Sequence, residues 1–393
     1  MSRWCILLLS AGLAASRAGA FDAGPWLTWQ GDPRSTVTLS WMRDAVATCT
    51  IEYCAGAAPV RSVELVCTGG LHSAMLTGLV AGTRYDYTMT WDDGAAVTNS
   101  FRTAPECTGP FSFGMMADTR TYTETHQAVA DALLARQPHL CLNAGDAVEY
   151  GLQPEHWQSF LAIERALIAR APLAIAPGNH DEPETPGTLL WDLFPLPPAA
   201  TSHYYSFTVG AAHFVALNTL LPVEGAQSNW LAADLAAARA HPDIAWIICF
   251  FHYPPYGAAA ERDPAAEAPM IDALRGAWCP LFEQFGVQLV LNGHNHFYHR
   301  SLPVNGVTYI TSGGGGAELH TPAADDHTAF ATSCYQCLHV EVSEAELVCN
   351  AVGTDGAVFD TVTLYVPEPV AALAGALLLL LGRSGVRAAA RAV

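Results

Sequence analysis

The sequence contains no lysine: all 18 basic residues are arginine, set against 37 acidic ones, for a formal net charge of -19. Charged residues of either sign make up only 14% of the chain. Such a balance argues against nucleic-acid binding, which needs cations to neutralise phosphates, and it disfavours attraction to anionic lipid. It leaves phosphate binding open where a metal centre supplies the positive charge. A run long enough to cross a bilayer is also missing. The apolar stretch at 370–381 would cover roughly 18 Å as a helix at ~1.5 Å per residue, against a hydrocarbon core of ~30 Å. What the chain has in quantity is hydrophobic side chains, 51% of 393 residues. That is ample for one large domain and a smaller one.

Residues 1–20 carry Arg3, an apolar core around 6–9 and Ala18, Gly19 and Ala20 before Phe21, the pattern of a secretory signal peptide. A chain beginning at Phe21 works outside the cytoplasm. Of its 11 cysteines it would lose only Cys5, and the rest could pair in an oxidising compartment. Cys141 and Cys249 sit inside apolar runs and read as small buried thiols. Cys334 and Cys337 read as a local disulfide or as plain packing.

From 25 to 102 short alternating segments at 36–41, 48–53 and 85–91 are separated by turn residues at 81–83 and 92–94, as expected of an antiparallel sandwich. A linker follows at 106–110. Beyond it, apolar runs alternate with helix-like segments such as 123–136, 154–170 and 227–240, which predicts sheets covered by helices. Segments 204–209 and 213–217 read as a core hairpin, with His213 a residue of the fold. The glycines at 313–316 follow a strand-like run, and without a following helix they are a weak phosphate cradle.

Five apolar runs end in residues able to hold a metal. The run at 111–117 ends in Asp118, Thr119 and Arg120. That at 139–144 ends in Gly145 and Asp146 and continues to Glu149 and Tyr150. The third, 172–177, ends in Gly178, Asn179, His180 and Asp181. The fourth, 245–251, ends in His252, and the fifth, 287–291, turns at Asn292 and Gly293 to present His294 and His296. Alternate residues of an extended loop point the same way, so these last two can share a site. Neutral imidazole is the commonest metal ligand. Five buried strands that each deliver Asp, Asn or His at one end describe a single crevice at a sheet edge.

These five motifs, in this order, resemble those of the calcineurin-like metallophosphoesterases. Tyr204 to Phe207, Ala212 to Val215 and Tyr298 to Arg300 are similar to the purple-acid-phosphatase-like branch, and the resemblance covers about 26–365. Segments 79–85 and 101–105 resemble the fibronectin-III-like domain that precedes the catalytic domain in that branch. Pro367, Glu368 and Pro369, the apolar run after them, and Arg383, Arg387 and Arg391 resemble the PEP-CTERM sorting signal of Gram-negative bacteria. The resemblance implies an α+β fold: a two-sheet metallophosphoesterase sandwich flanked by helices (107–366), preceded by a small all-β fibronectin-III-like sandwich (21–106). With the signal peptide (1–20) and a sorting or anchor segment (367–393), it implies export to the cell surface or extracellular matrix. The partners it implies are an exosortase-type processing enzyme and, transiently, the membrane met by the C-terminal segment.

For the site, the resemblance implies two metal ions, Fe, Zn or Mn, bridged by Asp146. Asn179, His252 and His294 would complete one ion's shell, and Asp118 and His296 would hold the other. Metal-activated hydroxide would attack a phosphate monoester while His180 protonates the leaving alcohol. Asp181 would orient His180 or act as a turn carboxylate, and Arg120 or Arg300 could contact phosphate oxygens. Two departures bear on the first ion. Arg120 stands where most metallophosphoesterases have His, and Glu149 where purple acid phosphatases have Tyr. Glu149, or Tyr150 from a bulged loop, would replace the lost ligand, or the ion would bind weakly. A phosphodiesterase of the same fold, or a non-catalytic surface or matrix protein with a decayed first site, are the alternatives.

Overall fold

The computed structural model describes residues 22–366 except 108, 183–188, 196 and 198–202. The expected signal peptide and the sorting segment lie outside the described residues.

Seven strands make the N-terminal region. Ala23–Thr28, Val37–Arg43 and Gly70–Leu76 form one antiparallel sheet. Arg61–Cys67, Ala47–Cys54, Arg84–Trp91 and Ala96–Arg102 form the other, in that order. The alternation of Tyr85, Tyr87, Met89 and Trp91 with exposed or half-buried neighbours gives that second sheet one buried and one wet face. This small sandwich is tied to the rest of the molecule by polar bonds between apolar bodies. Trp26 donates from Nε1 to Leu193 O at 2.8 Å, and Tyr87 donates its hydroxyl to Ala169 O at 2.8 Å.

The larger region is built on two sheets. One has six strands in the order Leu173–Ile175, Leu140–Asn143, Phe111–Met116, Gln336–Val342, Glu346–Gly353, Val358–Tyr365, of which the first three are parallel. The other has seven, and its parallel core runs Ala212–Ala216, Trp246–Phe251, Leu289–Asn292, Thr308–Ser312. Strands covered on both faces read as continuous apolar runs, and the period of two then sorts the side chains. Trp246, Ile248 and Phe250 join the core between the sheets, while Ile247, Cys249 and Phe251 meet the helices outside. Phe113 and Phe214 meet edge to face across that central core, 5.3 Å between centroids.

Helices Thr123–Leu134 and Pro154–Ile168 pack outside the six-stranded sheet, and Ala226–Ala240 and Pro264–Gln284 outside the seven-stranded one. The last of these has no counterpart in the sequence expectations, because Pro269 and Pro280 lie inside it and break the usual helical signature. Its start is conventional: Pro264 in the first turn, and the Asp263 side chain accepting from Ala265 N at 3.0 Å. The predicted hairpin forms as Tyr205–Val209 paired with Ala212–Ala216, and His213 is held within the fold by Asp234 at 2.9 Å. The ten described cysteines are all unpaired, Cys334 and Cys337 included.

Candidate metal centre

The C-terminal ends of the parallel strands in both sheets open onto one crevice, where the chain turns sharply. Asp118, Asp146 and His294 all adopt left-handed backbone, with φ of 56°, 54° and 67°. Each such residue costs on the order of 1–3 kcal/mol, so the loops must be held by their surroundings. Asp118 Oδ2 accepts from His294 N at 2.8 Å, and Asp146 Oδ1 accepts from His180 N at 2.9 Å. The glycines of the motifs allow this closeness. A Cβ at Gly178 would lie 2.2 Å from Asp146 Oδ1, and one at Gly293 2.6 Å from Asp118 Oδ2.

Asp181, fully buried, is the clamp of this corner. Its Oδ2 accepts from the amides of Asp146 (2.7 Å) and Gly178 (2.9 Å), and its Oδ1 from Val148 (3.2 Å). Burial and the neighbouring Asp146 push its carboxyl up to about 8. It does not hydrogen-bond the His180 ring, whose Nδ1 donates instead to Glu149 O at 2.9 Å. His180 Nε2 is thereby left facing the crevice, 4.0 Å from Asp146 Oδ2.

The histidines are each oriented by what lies behind them. His252 donates from Nδ1 to Ala144 O (2.9 Å), and His296 from Nδ1 to Glu318 O (2.6 Å). His294 Nε2 lies 3.2 Å from Glu267 Oε2, which makes that nitrogen the proton carrier. The nitrogens left over are His252 Nε2, His296 Nε2 and His294 Nδ1, all turned inward. His294 Nδ1 stands 3.3 Å from His252 Nε2, which is 3.4 Å from Asp146 Oδ1. The buried oxygens Asp118 Oδ1 and Asn179 Oδ1 have no hydrogen-bond partner. Ligand atoms of Asp118, Asp146 and His252 lie within 4.8 Å of one another. Unpartnered buried oxygens beside inward-facing imidazole nitrogens are satisfied by a cation, and a backing carbonyl or carboxylate is how metal-binding histidines are usually held. The donor set therefore fits a metal ion.

Protonation follows the same logic. Burial acts to lower His252, but Asp146 outweighs it and the imidazole is raised to about 9. Burial likewise works to raise Asp146, and His252 and His180 hold its carboxyl well below the ordinary range. His294, buried and beside His252, falls to about 4.

The remaining sequence candidates divide. Arg120 lies inside the centre: Nε is 3.4 Å from Asp146 Oδ2, Nη2 is 3.5 Å from His296 Nε2, and Nη1 reaches both Glu149 oxygens at 3.0 and 2.9 Å. Glu149 is held by this pair and by the Thr121 hydroxyl at 2.7 Å, so its carboxylate faces a cation of the chain. Tyr150 lies outside the centre; the residue is 53% exposed and its ring packs edge-on against His156. Arg300 also lies elsewhere. Strand periodicity puts it on the same face as Tyr298, toward the six-stranded sheet, where both bond Asp360, Arg300 Nε at 2.7 Å. The glycine loop gives its amides to the backbone, Gly315 N to Ala117 O at 3.1 Å and Gly313 N to Phe297 O at 3.1 Å.

Sequence reasoning missed Glu267, which the proline-bearing helix carries, and His320, whose ring stacks on His296 at 4.0 Å between centroids. The capping pair Asp263 and Pro264 was the signal that could have found the helix. A cavity of about 930 Å³ opens beside Arg120 and Glu149, lined also by Tyr150, His156, His296 and His320.

Residues 112–298 match the calcineurin-like phosphoesterase family. An uncharacterized protein of Mycobacterium tuberculosis is 26% identical over 297 residues, 65% of this chain and 54% of that protein, so the chain spans about half the length of that relative. Acid phosphatase type 7 of Homo sapiens is 27% identical over 350 residues, 77% of this chain and 76% of that one. Among solved structures, a purple acid phosphatase from yellow lupin (Lupinus luteus) seeds superposes with a TM-score of 0.75 at 18% identity, covering 87% of this chain and 74% of that one. That likeness shows the fold: mixed α/β with several sheets, similar to a purple acid phosphatase.

Proposed function

From a chain that carries a calcineurin-like metallophosphoesterase domain with purple-acid-phosphatase-like relatives, we propose a metal-dependent phosphohydrolase acting on phosphate monoesters. The observation that carries this rests on four residues of the crevice: His252 Nε2 is 3.4 Å from Asp146 Oδ1 and 3.3 Å from His294 Nδ1, and the buried Asn179 Oδ1 has no hydrogen-bond partner. Those four residues would hold an ion of Fe, Zn or Mn. Bound there, it would act as a Lewis acid on phosphoryl oxygen and acidify water.

The protein's own groups do the rest. His180 is the proton donor to the leaving alcohol: with Nδ1 committed to Glu149 O, only Nε2 faces the crevice. Asp181 is a positioning residue, fixing the loop that presents Asp146. The second ion that the resemblance implies, at Asp118 and His296, has a cation of the chain's own, Arg120, in front of it.

The signal-peptide pattern at 1–20 and the PEP-CTERM-like tail at 367–393 support export to a cell surface or matrix, with an exosortase-type enzyme and brief membrane contact. The three-on-four strand order of 23–102 agrees with the fibronectin-III-like assignment.

The test is hydrolysis of p-nitrophenyl phosphate and of its bis ester by purified protein titrated with Fe, Zn and Mn. Turnover of the monoester that needs metal is expected. Preference for the bis ester would make it a phosphodiesterase, and no turnover with any metal would leave a binding protein.

A further inference from the structure

We propose that the Arg120 guanidinium occupies the place of one of the two metal ions, so that the protein binds a single ion per chain, at Asp146, Asn179, His252 and His294. This rests on the metal-dependent reading above. The two oxygens of Asp146 face different ways. Oδ1 is turned to His252 (3.4 Å), whereas Oδ2, the atom a second ion would need, has Arg120 Nε at 3.4 Å. On the other side of the same gap, Arg120 Nη2 is 3.5 Å from His296 Nε2. An ion bonded to both at about 2.0–2.2 Å would lie against the guanidinium, which carries a permanent like charge.

The guanidinium is not a visitor to this position. Its side chain is 14% exposed, and Glu149 holds it through both carboxylate oxygens while Thr121 fixes Glu149. Arg120 and Glu149 are the two positions at which the sequence departs from the resembled pattern, and they are bonded to each other. The two positions from which the missing ligand could come instead form an ion pair that fills the space that ligand would serve.

Charge gives the same count. Asp118, Asp146 and Glu149 bring three negative charges, which one dication and one guanidinium balance. A second dication would leave two positive charges uncompensated in a buried place. The retained cation is fixed beside the roughly 930 Å³ cavity, so a phosphate bound at the remaining ion meets a guanidinium on the side where a second metal would stand.

The experiment is metal stoichiometry of the full chain by equilibrium dialysis against Zn²⁺ or Mn²⁺ and elemental analysis, with p-nitrophenyl phosphate hydrolysis followed in parallel. One ion per chain is expected. His296→Ala should keep that ion, and His252→Ala should weaken its binding at least tenfold. Arg120→His, which removes the charge and supplies an imidazole, should raise the count to two. Two ions in the unaltered protein, loss of the ion in His296→Ala, or a count unchanged at one in Arg120→His would each overturn the proposal. One ion without ester hydrolysis would leave it standing and sink the proposed activity. Two ions with hydrolysis would do the reverse, and no ion at all would remove both.

Discussion

Oε2 of Glu267 lies 3.2 Å from Nε2 of His294, on a helix that reaches the centre from outside the seven-stranded sheet. The contact decides which nitrogen of His294 carries the proton, and so which faces the metal position. Carboxylates that back a metal-binding imidazole typically contribute 10–100-fold in affinity. Glu267→Ala is therefore expected to weaken divalent-metal binding by about that factor, with far-UV circular dichroism unchanged. An unaltered dissociation constant would show that His294 needs no orienting partner.

Metal binding should also release a proton. In the metal-free protein His252, raised to about 9 by Asp146 against the opposing effect of burial, is protonated at neutral pH. An incoming ion needs its lone pair, so the proton must leave. Because the folded pKa lies above the working range, apparent affinity should rise with pH up to about 9 and then level. Calorimetry in buffers of different ionisation enthalpy measures the release directly; near-zero release at pH 7 would mean that His252 is already neutral.

His180 is the residue whose removal should depend on the leaving group. General acid catalysis contributes roughly 10²–10⁴-fold where the departing oxygen needs a proton. His180→Ala should lose about that much kcat on an alkyl phosphate and much less on p-nitrophenyl phosphate, with metal content unchanged. Equal losses on both substrates would assign the ring to binding instead of proton transfer.

The crevice was legible in the sequence because its parts are local. A short apolar run followed by Asp, Asn or His is a strand end whatever the rest of the chain does, and the five ends lie at one crevice, three from the six-stranded sheet and two from the seven-stranded one instead of at the edge of a single sheet. What lay in tertiary contact was not legible. Glu267 sits on a helix disguised by Pro269 and Pro280, and Glu318 and His320 come from a loop with no periodic signal. Arg300 follows the last motif so closely that sequence proximity suggested the site. The pleat overruled it, turning Tyr298 and Arg300 together toward the six-stranded sheet. The Arg120–Glu149 pair was visible only as two separate oddities, since nothing in the sequence says that they touch.

Arg300 gives the last prediction, and it concerns stability. Its Nε and Nη2 bond the two oxygens of Asp360 at 2.7 and 3.0 Å, and the Tyr298 hydroxyl bonds the same carboxylate at 2.8 Å, joining strands of the two sheets. Although burial acts to raise it, these bonds hold Asp360 below the ordinary carboxylate range. A carboxyl whose folded pKa is depressed contributes stability that is present above its unfolded value of about 3.9 and lost as pH falls through the folded one. Arg300→Met leaves the carboxylate half-satisfied and should cost about 1–3 kcal/mol at pH 7, scaled down by the pair's partial exposure. The acid limb of the stability profile should flatten in the variant, because less remains to be lost there. Urea unfolding at pH 7 and at pH 3.5 measures both effects, while kcat and KM for p-nitrophenyl phosphate should stay within about twofold of the parent. A large rise in KM without loss of stability would return Arg300 to the phosphate, and would require the Asp360 pair to open when substrate binds.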